Sequence, residues 1–365
     1  MTNLSSKFEK SKSPLTRPTV DLSHKGRGEA IWAMGLMSGT SLDGVDAALI
    51  LTDGITVYDT GETTYISYPA DFQTKLRAVL GQETAPDDLI RESTEFHCQA
   101  IRDLLSKTKH KVQVIGYHGQ TIYHAPPKTV QIGDAQLVVD TFGIPVVHDF
   151  RTDDCLNGGQ GAPLVPIYHK ALVQQENAPT VVINIGGVAN LTYIDGDTVI
   201  AGDIGPGNAL INDVMQRDFS LEYDLDGAVA AANTVNKSVL DQWLSNPYFA
   251  LPFPKSLDRD HFSSYKGLLS GGEAIATLTE LTIQAILRSF SLLPRVPKHV
   301  YLCGGGAKNK TIMNGLMPCS VLEDSDMIEA QAFAYLAVRV LRGLPTSFPT
   351  TTGCTAPTSG GKIIS

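Results

Sequence analysis

Residues 179–208 read PTVVINIGGVANLTYIDGDTVIAGDIGPGN. A β-branched run reaches Gly186-Gly187, a second reaches Asp195-Gly196, and a third ends in Gly-Pro-Gly. The spacing predicts strand, glycine-rich turn, strand, Asp-Gly turn and strand. The same theme stands near the start of the chain. Residues 31–53, IWAMGLMSGTSLDGVDAALILTD, give a strand, a GTSLDG turn and a second strand, and residues 55–69 continue after the Asp53-Gly54 turn. A β-meander with glycines at its first tip thus opens each half, a repeat of fold more than of sequence. The chain has 365 residues, more than one hydrophobic core usually organises, so two α/β domains are expected.

Outward from the meanders, helix and strand patterns alternate. Asp71 to about Thr108 is helical in period, broken near Ala85-Pro86; residues 111–117 and 130–132 read as strands, 134–142 as a helix and 144–148 as a strand. NGGQGAP at 157–163 punctuates the chain, and a helix over 164–175 is expected to connect the domains. The later part is helical to about Leu293, with an irregular insert, YFALPFPKSLDRDHF, at 248–262. HVYLCGGG at 299–306 is a strand running towards a helix that begins near Asn309, and 328–341 is the last strong helix. The expected domains are therefore 31–165, which 342–365 can complete, and 166–341. Residues 1–30, rich in Ser, Lys, Thr and Pro and without an apolar run, read as a disordered leader, with an organellar targeting segment as the alternative.

A hydrophobic fraction of 42 % supplies enough apolar material for two cores. The net charge of −9 argues against a nucleic-acid partner and against an anionic membrane. It leaves room for a phosphate held by local amides or a few cations. No apolar stretch of about 18 or more residues exists, so no membrane span is expected and the protein is placed in the cytoplasm. Cys98, Cys155, Cys303, Cys319 and Cys354 form no C-x-x-C pair and are odd in number, which fits unpaired thiols in a reducing compartment. His118 and His124 have no cluster to complete a zinc site.

Four turns carry the candidate chemistry. In Gly39-Thr40-Ser41-Leu42-Asp43-Gly44, glycines and hydroxyls allow backbone amides to converge on a phosphate, and Asp43 or Asp46 can hold Mg²⁺ directly or through water. No Gly-Lys-Ser/Thr follows, so this is not a Walker loop. An ordinary hairpin is the other reading. Asn184-Ile185-Gly186-Gly187-Val188-Ala189-Asn190 repeats the glycine tip. In Gly202-Asp203-Ile204-Gly205-Pro206-Gly207-Asn208, Asp203 is expected at a strand end, placed either as a general base or as a helix cap. Cys303-Gly304-Gly305-Gly306-Ala307-Lys308-Asn309 offers bare backbone to a flat ligand such as adenosine, or is a plain strand-to-helix turn. His118 and Gln120, in the polar stretch 116–121, are candidates for sugar hydroxyls or amides. Arg151 suits a bidentate hold on a substrate carboxylate, or a surface pairing with Asp153 or Asp154. Glu329 opens an apolar helix, either as a favourable charge at its start or as a ligand for a sugar hydroxyl.

These pieces stand in one order from about Met34 to Ala337. GLMSGTSLDGVDAALI, YHGQTIYHAP, VQIGDAQLVVDTFGIPVVHDFRTDD, GGQGAPLVP, INIGGVANLT, DIGPGN, YDLDGAVAA and LCGGGAKN resemble the signature set of anhydro-N-acetylmuramic acid kinases. The resemblance implies an actin/Hsp70/hexokinase fold, with two ribonuclease-H-like (actin-like ATPase) domains flanking a nucleotide cleft. It implies a cytoplasmic, ATP-using and Mg²⁺-using kinase of peptidoglycan recycling, which opens 1,6-anhydro-N-acetylmuramic acid with water and phosphorylates O6. Matching motifs make Asp203 the base. Gly39, Thr40, Ser41, Leu42, Asp43, Gly44, Val45 and Asp46 become the phosphate loop. Gly186, Gly187, Asn190, Gly205, Gly207, Asn208, Gly304, Gly305, Gly306 and Asn309 become further nucleotide contacts. Arg151 and Glu329 fall near the sugar, beside the sugar-facing candidates His118 and Gln120. Homodimerisation is common in relatives, and the sequence itself gives no oligomeric state. The competing readings are a kinase of another amino sugar or hexose, a non-catalytic ATP-binding switch, and a pure sugar-binding module.

Overall fold

The computed structural model describes residues 28–39, 41–258 and 260–365. Thr40 and residues 1–27 of the expected leader lie outside the described residues. The chain divides into two compact units. One runs to Leu172 and resumes over Met327–Ser365; the other is Val173–Asp326.

The first unit opens with β1 (Ile31–Ser38), β2 (Gly44–Thr52) and β3 (Val57–Ser67), paired antiparallel as successive strands joined by short turns. Helices α1 (Ala70–Val79) and α2 (Asp87–Lys107) follow. The break between them ends at Pro86, the residue that caps α2; its fixed φ suits a helix start, while its ring cannot continue one. Next come β4 (Val112–Ala125), β5 (Lys128–Ile132), α3 (Ala135–Phe142), β6 (Val146–His148), α4 (Thr152–Leu156) and α5 (Pro166–Leu172). β4 lies parallel to β1, and β6 parallel to β4. β4 extends well past Tyr117, where the apolar pattern stops, because its polar residues 118–121 are inside the sheet and not at a strand end.

The second unit repeats the plan with β7 (Thr180–Ile185), β8 (Val188–Asp195) and β9 (Thr198–Pro206), again antiparallel. It continues through α6 (Ala209–Phe219), α7 (Ala228–Ala231), α8 (Lys237–Leu244), α9 (Gly271–Ser289), β10 (His299–Cys303), α10 (Lys310–Leu316) and β11 (Ser320–Val321). Its sheet order, β11-β10-β7-β8-β9, matches β6-β4-β1-β2-β3 in the first unit. In each, two later strands add in parallel to the first strand of the meander. Two sheets of one topology fit the paired ribonuclease-H-like domains that the resemblance implies. Each has its own core: Met34, Leu36 and Leu49 with Phe72, Leu76, Ile101 and Leu104 in one, and Ile183, Leu191 and Leu302 with Trp243, Ile275, Leu278 and Phe262 in the other.

Two last elements return to the first unit. β12 (Lys362–Ile364) pairs antiparallel with β6, and α11 (Ile328–Leu341) packs on β1, β2 and β4. The sequence order suggested that α11 closes the second half; its packing puts it with the first. The approach is backbone to backbone. A Cβ on Gly35 would stand 1.8 Å from the Ala330 carbonyl oxygen, and one on Gly116 would stand 2.1 Å from that of Phe333. These two glycines inside strands therefore admit the helix. The first turn of α11, with Glu329 beside Ala330, is thereby anchored on β1.

Candidate active site

In the first unit, the turn between β1 and β2 is held from beneath. Gln120 Nε2 donates to the Gly39 carbonyl at 2.9 Å, and the Leu42 N–H donates to the same oxygen at 3.2 Å. Leu42 takes a left-handed φ of 57° and turns its side chain into the core, as does Val45; these two candidates offer a ligand only their backbone. Ser41 and Asp43 stay exposed, with Ser41 Oγ donating to Asp43 Oδ1 at 2.7 Å. Asp46 is half-buried on β2, opposite Met37 of β1 and Tyr65 of β3. Asp43 and Asp46 are hard oxygen donors of the kind Mg²⁺ takes. Among the described residues no three His, Cys, Asp or Glu side chains cluster as a metal site, so an ion here would draw its other ligands from phosphate and water.

His118 and Gln120 do not face outward as sugar ligands. Gln120 is fully buried. His118 is 3 % exposed and both its ring nitrogens are engaged: Nδ1 lies 2.8 Å from the Gly119 carbonyl, and Nε2 accepts from Arg151 Nε at 2.9 Å. Burial, reinforced by the Arg151 charge, holds the imidazole well below its ordinary pKa, so it stays the neutral acceptor this pairing needs. Arg151 also donates from Nη1 to the Gly161 carbonyl at 2.7 Å, and its guanidinium lies over the Phe333 ring. The surface pairing with Asp154 does not form. Asp154 is buried and accepts instead from Thr352 Oγ1 and the Gly161 N–H, each at 2.6 Å. Arg151 is thus fixed through Nε and Nη1, and Nη2 makes no hydrogen bond with a described residue. Glu329 is half-buried nearby. Its pKa is raised by burial and by Asp43, against the pull of Arg151. Asp43, Arg151 and Glu329 therefore form one neighbourhood on the first unit.

In the second unit, three glycine motifs far apart in sequence are stitched together. The N–H groups of Gly207, Asn208 and Ala209 donate to the carbonyls of Gly187, Gly186 and Gly187. Asn208 Nδ2 donates to the Ile185 carbonyl at 3.3 Å. The fit leaves no room for side chains. A Cβ on Gly207 would lie 2.2 Å from the Gly186 oxygen, one on Gly304 2.2 Å from Asn184 Oδ1, and one on Gly306 2.2 Å from Ile185 Cγ2. Gly205 is likewise buried, against Phe249. Asn309 is not open to a ligand: its Oδ1 caps α10, accepting from the Thr311 and Ile312 N–H groups at 3.0 and 3.1 Å. Exposed bare backbone is left at Gly187 and Gly305.

Asp203 does not end a strand, since β9 runs on to Pro206. It sits opposite half-buried Asn190, beside a register shift between Ala189 and Asn190. Its Oδ2 accepts from the Leu257 N–H at 2.7 Å, and it caps no helix. Burial pushes its carboxyl up to about 6, and the Leu257 N–H and the Lys255 charge oppose that rise. Leu257, Lys255 and Tyr248 around it were not anticipated from sequence. The available signal was a lone lysine among Tyr248, Phe249, Phe253 and Phe262 in the irregular insert.

The described residues include no helix long and apolar enough to cross a membrane. Comparison with known proteins agrees with the motifs. Residues 31–365 match the family model for anhydro-N-acetylmuramic acid kinase. The chain is 45 % identical over 360 residues to the anhydro-N-acetylmuramic acid kinase of Bradyrhizobium diazoefficiens, covering 91 % of this chain and 98 % of that one. It is 43 % identical to that of Gluconobacter oxydans, over 92 % of this chain and 100 % of the relative. Among solved structures it is similar to the activator of the 2-hydroxyisocaproyl-CoA dehydratase from Clostridium difficile with bound ADPNP, at a TM-score of 0.44 and 11 % identity, over 86 % of this chain and 96 % of that one. The chain belongs to the anhydro-N-acetylmuramic acid kinase family.

Proposed function

We propose that Asp203 is the general base with which this sugar kinase converts 1,6-anhydro-N-acetylmuramic acid, ATP and water into N-acetylmuramic acid 6-phosphate and ADP, in the cytoplasmic recycling of peptidoglycan. The observation that carries the reading is a half-buried carboxylate, tethered through one oxygen, whose pKa of about 6 keeps it ionised at neutral pH yet basic enough to take a proton. Asp203 takes that proton from water as its oxygen bonds to the anomeric carbon. The bond from that carbon to O6 breaks, and O6 attacks the γ-phosphorus as ADP departs. Phosphoryl transfer asks the protein mainly for positioning and charge neutralisation. The bare amides at Gly39, Gly187 and Gly305 suit phosphates and a flat base. Mg²⁺ would be held by Asp43 or Asp46 and would neutralise phosphate charge. Arg151, braced by His118, is suited to the substrate carboxylate, and Glu329 to a sugar hydroxyl.

Asp203→Asn keeps the size and the tether but not the base. Turnover of the anhydro sugar is expected to fall about 10³-fold or more, with ATP affinity close to that of the wild type. Activity near the wild-type level would make Asp203 structural. Phosphorylation of ordinary reducing hexoses in preference to the anhydro sugar would remove the hydrolytic step.

A further inference from the structure

We propose that residues 253–257, with Lys255 as the positioning residue, clamp Asp203 and leave Oδ1 as the oxygen that receives the proton from water; this rests on Asp203 being the base. Among the described residues β9 is the edge strand of its sheet, so the outer side of Asp203 faces no further strand there. The segment 253–257 fills that side. The Asp203 N–H donates to the Lys255 carbonyl at 2.8 Å, and the Leu257 N–H donates to Asp203 Oδ2 at 2.7 Å. The preceding residue is Gly202, where a Cβ would stand 2.7 Å from the Lys255 carbonyl oxygen and 2.8 Å from the Phe253 ring. Only a residue without a side chain lets the segment close on the strand.

A ring of three contacts locks the arrangement. Tyr248 Oη donates to the Asp203 carbonyl at 3.1 Å, Lys255 Nζ donates to the Tyr248 carbonyl at 3.0 Å, and the Lys255 carbonyl accepts from Asp203. The ammonium also lies 4.5 Å from the centre of the Tyr248 ring and 5.2 Å from that of Phe253. Both main-chain polar atoms and one carboxylate oxygen of Asp203 are therefore tied to residues that hold one another. Oδ1 accepts no hydrogen bond from a described residue. Among the described residues, the charged and titratable groups facing the carboxylate are Lys255 and Tyr248. Lys255 favours the ionised form of Asp203 without pairing to it directly.

The test is the pH dependence of kcat/KM for the anhydro sugar in the full-length kinase, with Lys255→Met, Lys255→Arg and Asp203→Asn compared. Methionine keeps the stem over the aromatic rings and loses the ammonium. Lys255→Met is expected to lower kcat tenfold or more at pH 7 with KM for ATP within about twofold. Losing a nearby cation raises a carboxylate pKa, so its acidic limb should move up by about half a pH unit. Lys255→Arg, which keeps the charge, should restore the limb and most of kcat. If Lys255→Met does not fold, Gly202→Ala displaces the segment without altering any charge, and should lower kcat while sparing KM for ATP. Wild-type kcat and an unmoved limb in Lys255→Met, with Asp203→Asn inactive, overturn the clamp and leave the base standing. Wild-type turnover by Asp203→Asn overturns both.

Discussion

Gly187 and Gly306 are both glycines in candidate nucleotide turns, yet the fold needs only the second. A Cβ on Gly187 would meet nothing closer than 3.6 Å, at Ala209, whereas one on Gly306 would press on Ile185 at 2.2 Å. Gly39 and Gly186 resemble Gly187, with nearest neighbours at 3.7 and 3.6 Å. Where the protein itself leaves space for a methyl group, packing does not demand a glycine, and its bareness is open to the nucleotide that the proposed function brings there. Gly187→Ala should therefore fold with stability equal to the wild type or higher by up to about 1 kcal/mol, because alanine restricts the unfolded chain. Its ATP affinity should drop about tenfold or more, since the methyl stands where phosphate would approach. Gly306→Ala should instead lose several kcal/mol, roughly the cost of overpacking a closed site. Thermal melts with and without ATP read both effects. A Gly187→Ala protein that binds ATP normally would remove that tip from the nucleotide site.

Helix α11 shows where local sequence stops specifying structure. Its period and length are plain from residues 328–341, but it is apolar nearly all round, so no single face says which sheet it covers. The information lies in Gly35 and Gly116, two strand interiors bare of side chains more than two hundred residues earlier in the chain. Gly35→Val is expected to unfold the first unit or to destabilise it by more than about 3 kcal/mol, because the clash is with helix backbone that cannot rotate aside. Urea unfolding followed by near-ultraviolet circular dichroism would show it, and a variant as stable as the wild type would mean that α11 does not pack as described. The meanders were legible because β-branched runs and glycine turns alternate there, and α2 because its apolar period is regular. The far end of β4 was not, since His118 and Gln120 are polar residues placed inside a sheet for internal hydrogen bonds. The setting of Asp203 was equally hidden. Its partners are the Lys255 carbonyl, the Leu257 N–H and the hydroxyl of Tyr248, and main-chain partners leave no mark on composition.

The stability of the whole molecule should fall as the solution is acidified, and the reason can be traced to its histidines. His97, His118 and His169 are all buried. Burial pushes His97 down to about 4 and His169 to about 3, and holds His118 well below its ordinary value. In the unfolded chain each takes a proton near pH 6.5. Their contribution is therefore complete above pH 6.5 and is lost progressively as the pH falls towards the folded-state values, because only the unfolded state binds protons there. Asp203 and Glu329 act in the opposite sense, since their folded pKa values are raised and acid favours the folded form. The imidazoles held down by burial, His124 and His148 among them, outnumber the two raised carboxylates, so the unfolded state binds more protons near pH 5.5 and stability falls as the pH falls there. The thermal midpoint should then drop steadily between pH 7 and 5. His97→Gln and His169→Gln, whatever they cost at pH 7, should each flatten that dependence by about one proton. A midpoint that stays level over this range, or mutants whose pH slopes match the wild type, would mean that these imidazoles take up protons in the folded state and are not shut away from water.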